Sequence, residues 1–181
     1  MQDKLRKILK YYGEEAQSKK YIEELSELMI AIIKGDIKNI KEEIADVRVM
    51  TKQVLMFKRV DIKDYKCWKE YVYKKMEYLK DAEIEKELQS EILYIQQGML
   101  TVKITCVVDC VAVLEYLLDR YMDINNISKE EIEKEMERKI NRQLERIERE
   151  KEVNIIKEEC PCMKEESYNC GMRCSMCGRE L

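Results

Sequence analysis

With 34 basic and 37 acidic side chains in 181 residues and a formal charge of −3, the chain has room for one domain and an appendage and no global pull toward nucleic acid. Five Gly and one Pro among 39% charged residues leave little material for β-turns, so an all-α chain is expected. His is absent, which removes the usual general base and the mixed His/Cys metal site.

No N-terminal apolar h-region and no bilayer-length apolar run is found, which predicts a cytoplasmic protein without a membrane partner. In that compartment the eight Cys are expected as thiols or metal ligands before disulfides.

In chain order, "QDKLRKILKYYG" reads as a short amphipathic helix stopped near Gly13, and "SKKYIEELSELMIAIIKG" as a second from Ser18 to Gly35. "NIKEEIADVRVMTKQVLMF" follows as a third, with Asn39 as N-cap and Glu42 at the capping-box spacing. A short link makes it antiparallel to the second. The stretch 62–80 is helical and rich in aromatics (Tyr65, Trp68, Tyr71, Tyr73, Tyr78), read as packing residues. Ser128 with Glu131 starts a long last helix carrying Ile132, Met136, Ile140, Leu144 and Ile147. Cys67, Cys106 and Cys110 fall in helical, apolar contexts and read as small core residues.

The chain also resembles itself at an offset of 63 residues, pairing Glu24 with Glu87, Leu25 with Leu88, Ile32 with Ile95, Gly35 with Gly98 and Asp46 with Asp109.

At 3.6 residues per turn, Glu24 and Glu27 share a face, and so do Glu43 and Asp46. Leu25, Leu28 and Ile32 form an apolar arc edged by the first pair; Ile40, Val47, Met50 and Val54 form the matching arc beside the second. Ala31 and Ala45 leave room between them. A tight turn between the helices then gathers four carboxylates at the border of a core, where they need compensation. A divalent cation supplies it, and hard oxygen donors favour Mg²⁺ or Mn²⁺ over Zn²⁺. Lys34, Lys38, Lys41, Arg48 and Lys52 are close enough in sequence to meet phosphates, although a solvated surface charge is the default for each.

"EELSEL", then fifteen residues between Glu27 and Glu43, then "EEIADV" resembles the EExxE…ExxD signature of the MazG-like all-α nucleoside triphosphate pyrophosphohydrolases. "ILKYYGEEAQSKKYIEE" and "RVMTKQV" are similar to the phage and Gram-positive versions, and "KINRQLERI" to their closing helix. The resemblance implies cleavage of a nucleoside triphosphate between its α and β phosphates, to monophosphate and pyrophosphate. It places Glu24, Glu27, Glu43 and Asp46 at the Mg²⁺-ligand positions, with Glu23 as the motif's extra acid. Glu24 or Glu27, where not fully used by metal, would accept the proton of the attacking water.

The internal offset sets Glu87, Ser90, Cys106 and Asp109 against the four ligands, so only half the set survives in the second copy. Glu91 is the residue that could shift in for Ser90. A degenerate second half resembles the tandem arrangement of dimeric dUTPases, and implies a four-helix-bundle-like core that simpler family members complete as homodimers. The expected organisation is residues 1–80 as the first repeat with the metal site, 81–152 as the degenerate second, and 153–181 as a separate tail.

That tail, "CPCMKEESYNCGMRCSMCGREL", carries Cys174 and Cys177 in a C-x-x-C knuckle and Cys160 and Cys162 as a shorter C-x-C pair, with Cys170 as a fifth candidate. Four thiolates make a closed structural zinc site. Reductant-purified protein should then contain about one zinc per chain by elemental analysis. Zinc-free protein would refute the site.

Two functions follow from these features. One is a Mg²⁺-dependent pyrophosphohydrolase of nucleotide-pool sanitation or phage nucleotide metabolism. The alternative is a catalytically inactive helical adaptor whose zinc-ribbon-like tail binds protein or nucleic acid.

Overall fold

A computed structural model describes residues 1–100 and 107–159, which form six α-helices: α1 (Gln2–Lys34), α2 (Ile37–Phe57), α3 (Ile62–Met76), α4 (Asp81–Leu100), α5 (Val107–Ile124) and α6 (Lys129–Glu159). No strand occurs among the described residues, and the all-α expectation holds there. None of these helices is long and apolar enough to cross a membrane. The chain divides into two compact units, Met1–Ile140 and Asn141–Leu181. In the second, the described part is helical through Glu159, with Ile147 buried. Cys106, Cys160, Cys162, Cys170, Cys174 and Cys177 lie outside the described residues, and the zinc expectation with them.

The first two expected helices meet at a kink within α1, where Gly13 takes φ 82 and ψ 166. That positive-φ, non-helical conformation is open to glycine at little cost, so the first helix stops at Gly13 as its sequence predicts and the second resumes directly after it, before Ser18. Ser18 is consequently no cap: its hydroxyl donates to the Glu14 carbonyl one turn back. Gly35 ends α1 in the left-handed conformation at φ 69, its N–H donating to the Ala31 and Ile32 carbonyls.

Asp36, not Asn39, caps α2. Its extended backbone sets the carboxylate over the Lys38 and Asn39 amides at 3.1 and 3.2 Å. Asn39 is already helical by then, so the Asn39–Glu42 capping box does not form. Asp61 caps α3 the same way, accepting from the Lys63 and Asp64 amides at 2.7 and 3.2 Å. At the start of α6 the Glu131 amide donates to Ser128 Oγ at 3.4 Å, as the capping-box spacing predicts.

Within residues 1–140, α1 packs on α2, α4 on α5, α3 on α5 and α1 on α4. The apolar arcs predicted from periodicity are buried: Leu25, Leu28 and Ile32 on α1, Ile40, Val47, Met50 and Val54 on α2. Each such side chain contributes roughly 1.5–3 kcal/mol of transfer free energy. Polar bonds tie the helices in register. Tyr21 and Thr51 hydroxyls meet at 3.1 Å across α1 and α2, and Gln96 Nε2 on α4 donates to the Ile22 carbonyl and Ser26 Oγ on α1 at 3.0 and 2.7 Å.

The aromatic stretch splits by face. Tyr65 is buried and donates to Glu115 at 3.0 Å; half-buried Tyr73 donates to Asp119 at 2.7 Å. Trp68, Tyr71 and Tyr78 are exposed, the first two stacked on each other, so packing accounts for only part of the group. Cys110 is buried as expected, whereas Cys67, on the outer side of α3, is exposed.

The paired positions of the internal repeat agree in their apolar part, Leu88 and Ile95 being buried like Leu25 and Ile32. The glycines differ. Gly35 terminates α1, while Gly98 lies inside α4.

Candidate metal centre

The turn at Gly35 and Asp36 returns α2 along α1, so three residues back from Glu27 to Glu24 are matched by three forward from Glu43 to Asp46. Oxygen atoms of Glu24, Glu27 and Glu43 all lie within 4.8 Å of one another. Oxygens bound to one Mg²⁺ at about 2.1 Å sit roughly 3–4 Å apart, so small side-chain rotations bring these three onto a common ion. No other group of three or more acidic or thiol side chains this close occurs among the described residues.

The environment raises the energy of the ionised state. Glu24 is 5% exposed, and burial, then the negative charge of Asp46, push its carboxyl up to about 7 against the opposing pull of Lys20. Burial, followed by the charges of Asp46 and Glu27, raises Glu43 as well. Glu43 Oε2 is buried with no partner in the protein. An acceptor oxygen left this way next to two other carboxylates is what a cation would satisfy.

Two lysines act on the cluster that periodicity did not single out. Lys20 Nζ bridges Glu23 at 2.9 Å and Glu24 at 3.0 Å. Lys139, from α6, pairs with Asp46, and both side chains are largely buried. Asp46 is therefore beside the three-carboxylate group but engaged by a cation of the chain, and burial still raises its pKa. The signal for Lys139 lay in "KINRQLERI"; its partner could not be read without the fold. Glu23 is exposed on the outer side of α1 and joins the site only through Lys20.

The other basic candidates separate. Lys34 and Lys38 are exposed. Lys41 pairs with Glu131 at 2.6 Å, and Arg48 is mostly buried against Asp119, so neither is a free surface charge. Lys52 is half-buried, with its Nζ 3.3 Å from Met1 Sδ. It lines a separate cavity of about 570 Å³ with Leu5, Tyr65 and Lys69, which contains none of the four proposed ligands.

In the second copy Glu87, Ser90 and Asp109 are exposed, and they form no comparable group. Glu91 is instead partly buried, raised to about 7 by burial, with Cys110 opposing and Glu87 adding to the shift. Asp109→Asn should leave both melting temperature and any turnover unchanged within error, a solvated carboxylate being worth little. A loss as large as that of a substitution at Glu24 would show that the second copy carries a working site.

The pH dependence of stability tests the cluster without any substrate. Glu24 sits near 7 folded against an ordinary 4.5, so its contribution to stability is fully present below 4.5 and lost as pH rises through 7. Metal-free protein should lose on the order of 1–2 kcal/mol between pH 5 and 8 from this group. Millimolar Mg²⁺ should restore it at pH 8, and Glu24→Gln should flatten the profile. Identical profiles for wild type and Glu24→Gln in chelator would refute this.

No protein-family model, curated protein or solved structure matches this chain.

Proposed function

We propose that the chain is a divalent-metal-dependent nucleoside triphosphate pyrophosphohydrolase, converting a triphosphate and water to a monophosphate and pyrophosphate. The observation that carries this reading is the convergence of buried Glu24, half-buried Glu43 and exposed Glu27 along the seam of α1 and α2, with Glu43 Oε2 unpartnered. The spacing of these acids with Asp46 matches the EExxE…ExxD pattern that the sequence resembles.

Glu24, Glu27 and Glu43 would hold Mg²⁺ or Mn²⁺, which supplies Lewis acidity and neutralisation of phosphate charge. Glu24 or Glu27, where not fully used by metal, would accept the proton that water loses as it attacks; the Glu24 carboxyl, raised toward neutrality, is matched to that task. Lys139 pairs with Asp46 beside the cluster, and Lys20 pairs with Glu24. On this reading the second copy would complete the helical core, and the Cys-rich tail, outside the described residues, would hold structural zinc.

Pyrophosphate release, followed across the canonical and modified nucleoside triphosphates with Mg²⁺ or Mn²⁺, tests the reading. The expected result is equimolar monophosphate and pyrophosphate from at least one of them. Release of orthophosphate instead, or no metal-dependent release from any, overturns it.

A further inference from the structure

Among the described residues, the buried polar side chains Gln17, Glu24, Thr51 and Gln53 all belong to α1 and α2. Two of them are satisfied: Glu24 by Lys20 and Thr51 by Tyr21. The other two are not. Gln53 is 0% exposed and neither its Oε1 nor its Nε2 has a partner in the protein; Gln17 is 6% exposed and its Oε1 has none. Leu or Met would fill either position without this cost, so amides here ask for a partner.

Their placement is specific. Gln17 stands seven residues before Glu24 on α1, and Gln53 seven after Asp46 on α2. Seven residues return to nearly the same face, so each amide continues the stripe that carries the carboxylates on its own helix. The helices run antiparallel in a register pinned by Tyr21 and Thr51, so both amides lie at the same end of the seam. That end is about 10 Å along the helix axes from Glu24 and about 15 Å from Glu27 and Glu43, with the Tyr21–Thr51 pair between. It is also where α1 breaks at Gly13, a glycine around which an added Cβ would meet no atom within 4 Å. A nucleotide held by its phosphates at the carboxylates would place its base at about these distances.

We propose that Gln17 and Gln53 form a base-recognition subsite, reading the hydrogen-bonding edge of the nucleobase of the triphosphate. The proposal rests on the pyrophosphohydrolase reading for its substrate class. A primary amide presents one acceptor beside one donor, the complement of adjacent donor and acceptor atoms on a base edge. Gln17 Oε1 adds a second acceptor, which makes the pair selective among bases. Sugar and phosphate alone offer no such edge.

The test uses full-length protein in two measurements. In the first, side-chain amide resonances of Gln17 and Gln53 are followed during titration with the four nucleoside 5′-monophosphates in chelator, with Gln17→Leu and Gln53→Leu assigning the signals. One base should shift both amides saturably. In the second, pyrophosphate release is compared across bases for wild type and Gln53→Leu. The substitution should raise KM roughly 10- to 100-fold for the preferred base and level the discrimination, with kcat within about threefold. Because it removes unpartnered polar atoms, it should also hold or raise the melting temperature.

Amides that stay silent with every base, or unchanged discrimination in a folded Gln53→Leu protein, overturn the subsite while leaving the hydrolase reading in place. A melting temperature that falls sharply in Gln53→Leu also overturns it, since the amide then belongs to an internal network. Base-dependent amide shifts in a protein that hydrolyses no triphosphate overturn the hydrolase reading and leave the subsite standing.

Discussion

Glu43→Gln is expected to lower pyrophosphate release on the order of a thousandfold while the metal-free protein melts at the same or a higher temperature. The two effects have one cause. Burial and the charges of Asp46 and Glu27 disfavour the ionised Glu43 carboxyl, and Glu43 Oε2 has no protein partner. Gln preserves the volume and removes the charge, which relieves repulsion in the absence of metal. If the proposed reaction is the chain's own, the same change removes a metal ligand, and several kcal/mol of transition-state charge stabilisation corresponds to roughly three orders of magnitude in rate. Glu23→Gln is the control: its carboxylate is 56% exposed and bound to Lys20 at the surface, so turnover should stay within about threefold. Equal losses at Glu23 and Glu43 would show that net acidity, not the three-carboxylate geometry, is what matters, and full activity of Glu43→Gln would refute the metal centre.

Lys139→Met should be the most destabilising single change at the site. Lys139 and Asp46 side chains are 15% and 17% exposed, and Asp46 has Glu24, Glu27 and Glu43 as like-charged neighbours, with Lys20 and Arg138 as further cations acting on it. Removing the ammonium leaves a buried carboxylate facing like charges, at a cost of roughly 2–3 kcal/mol, or about 5–10 °C in melting temperature for a chain of this size. Adding Asp46→Asn to Lys139→Met should recover most of the loss, because the unpaired charge goes with it. Saturating Mg²⁺ should recover part of it in the single variant. Strictly additive losses in the double variant, measured by thermal denaturation in chelator, would show that the two side chains do not depend on each other.

The helical content, the apolar faces and the position of the acids on them were readable in the sequence because each depends on short-range periodicity. Leu25, Leu28 and Ile32 fall on one stripe whatever surrounds them, and Glu24 and Glu27 border that stripe for the same geometric reason. Gly35 marked the turn because the left-handed conformation that ends α1 is one most other residues avoid. Local competition already blurred the boundaries: Asp36 and Asn39 are both competent caps, and the backbone emerging from Gly35 decided for Asp36.

What depended on distant segments was not readable. Asp46 looks equivalent to Glu43 in the motif, yet α6 delivers Lys139 to it across 93 residues, and no helical periodicity encodes that meeting. Arg48 and Lys41, two of many basic residues in the chain, became ion-pair partners of Asp119 and Glu131 only when α5 and α6 packed beside α2. Gln17 and Gln53 carried no motif at all; their significance is that packing closed over them and left amide atoms unpartnered. Sequence by itself determined which residues lie on which face of each helix, because that is a matter of 100° per residue. Tertiary structure alone decided which charges are neutralised, which are left in need of a partner, and hence which acids of this highly charged chain gather as a candidate metal centre, because desolvation and pairing are properties of the assembled core.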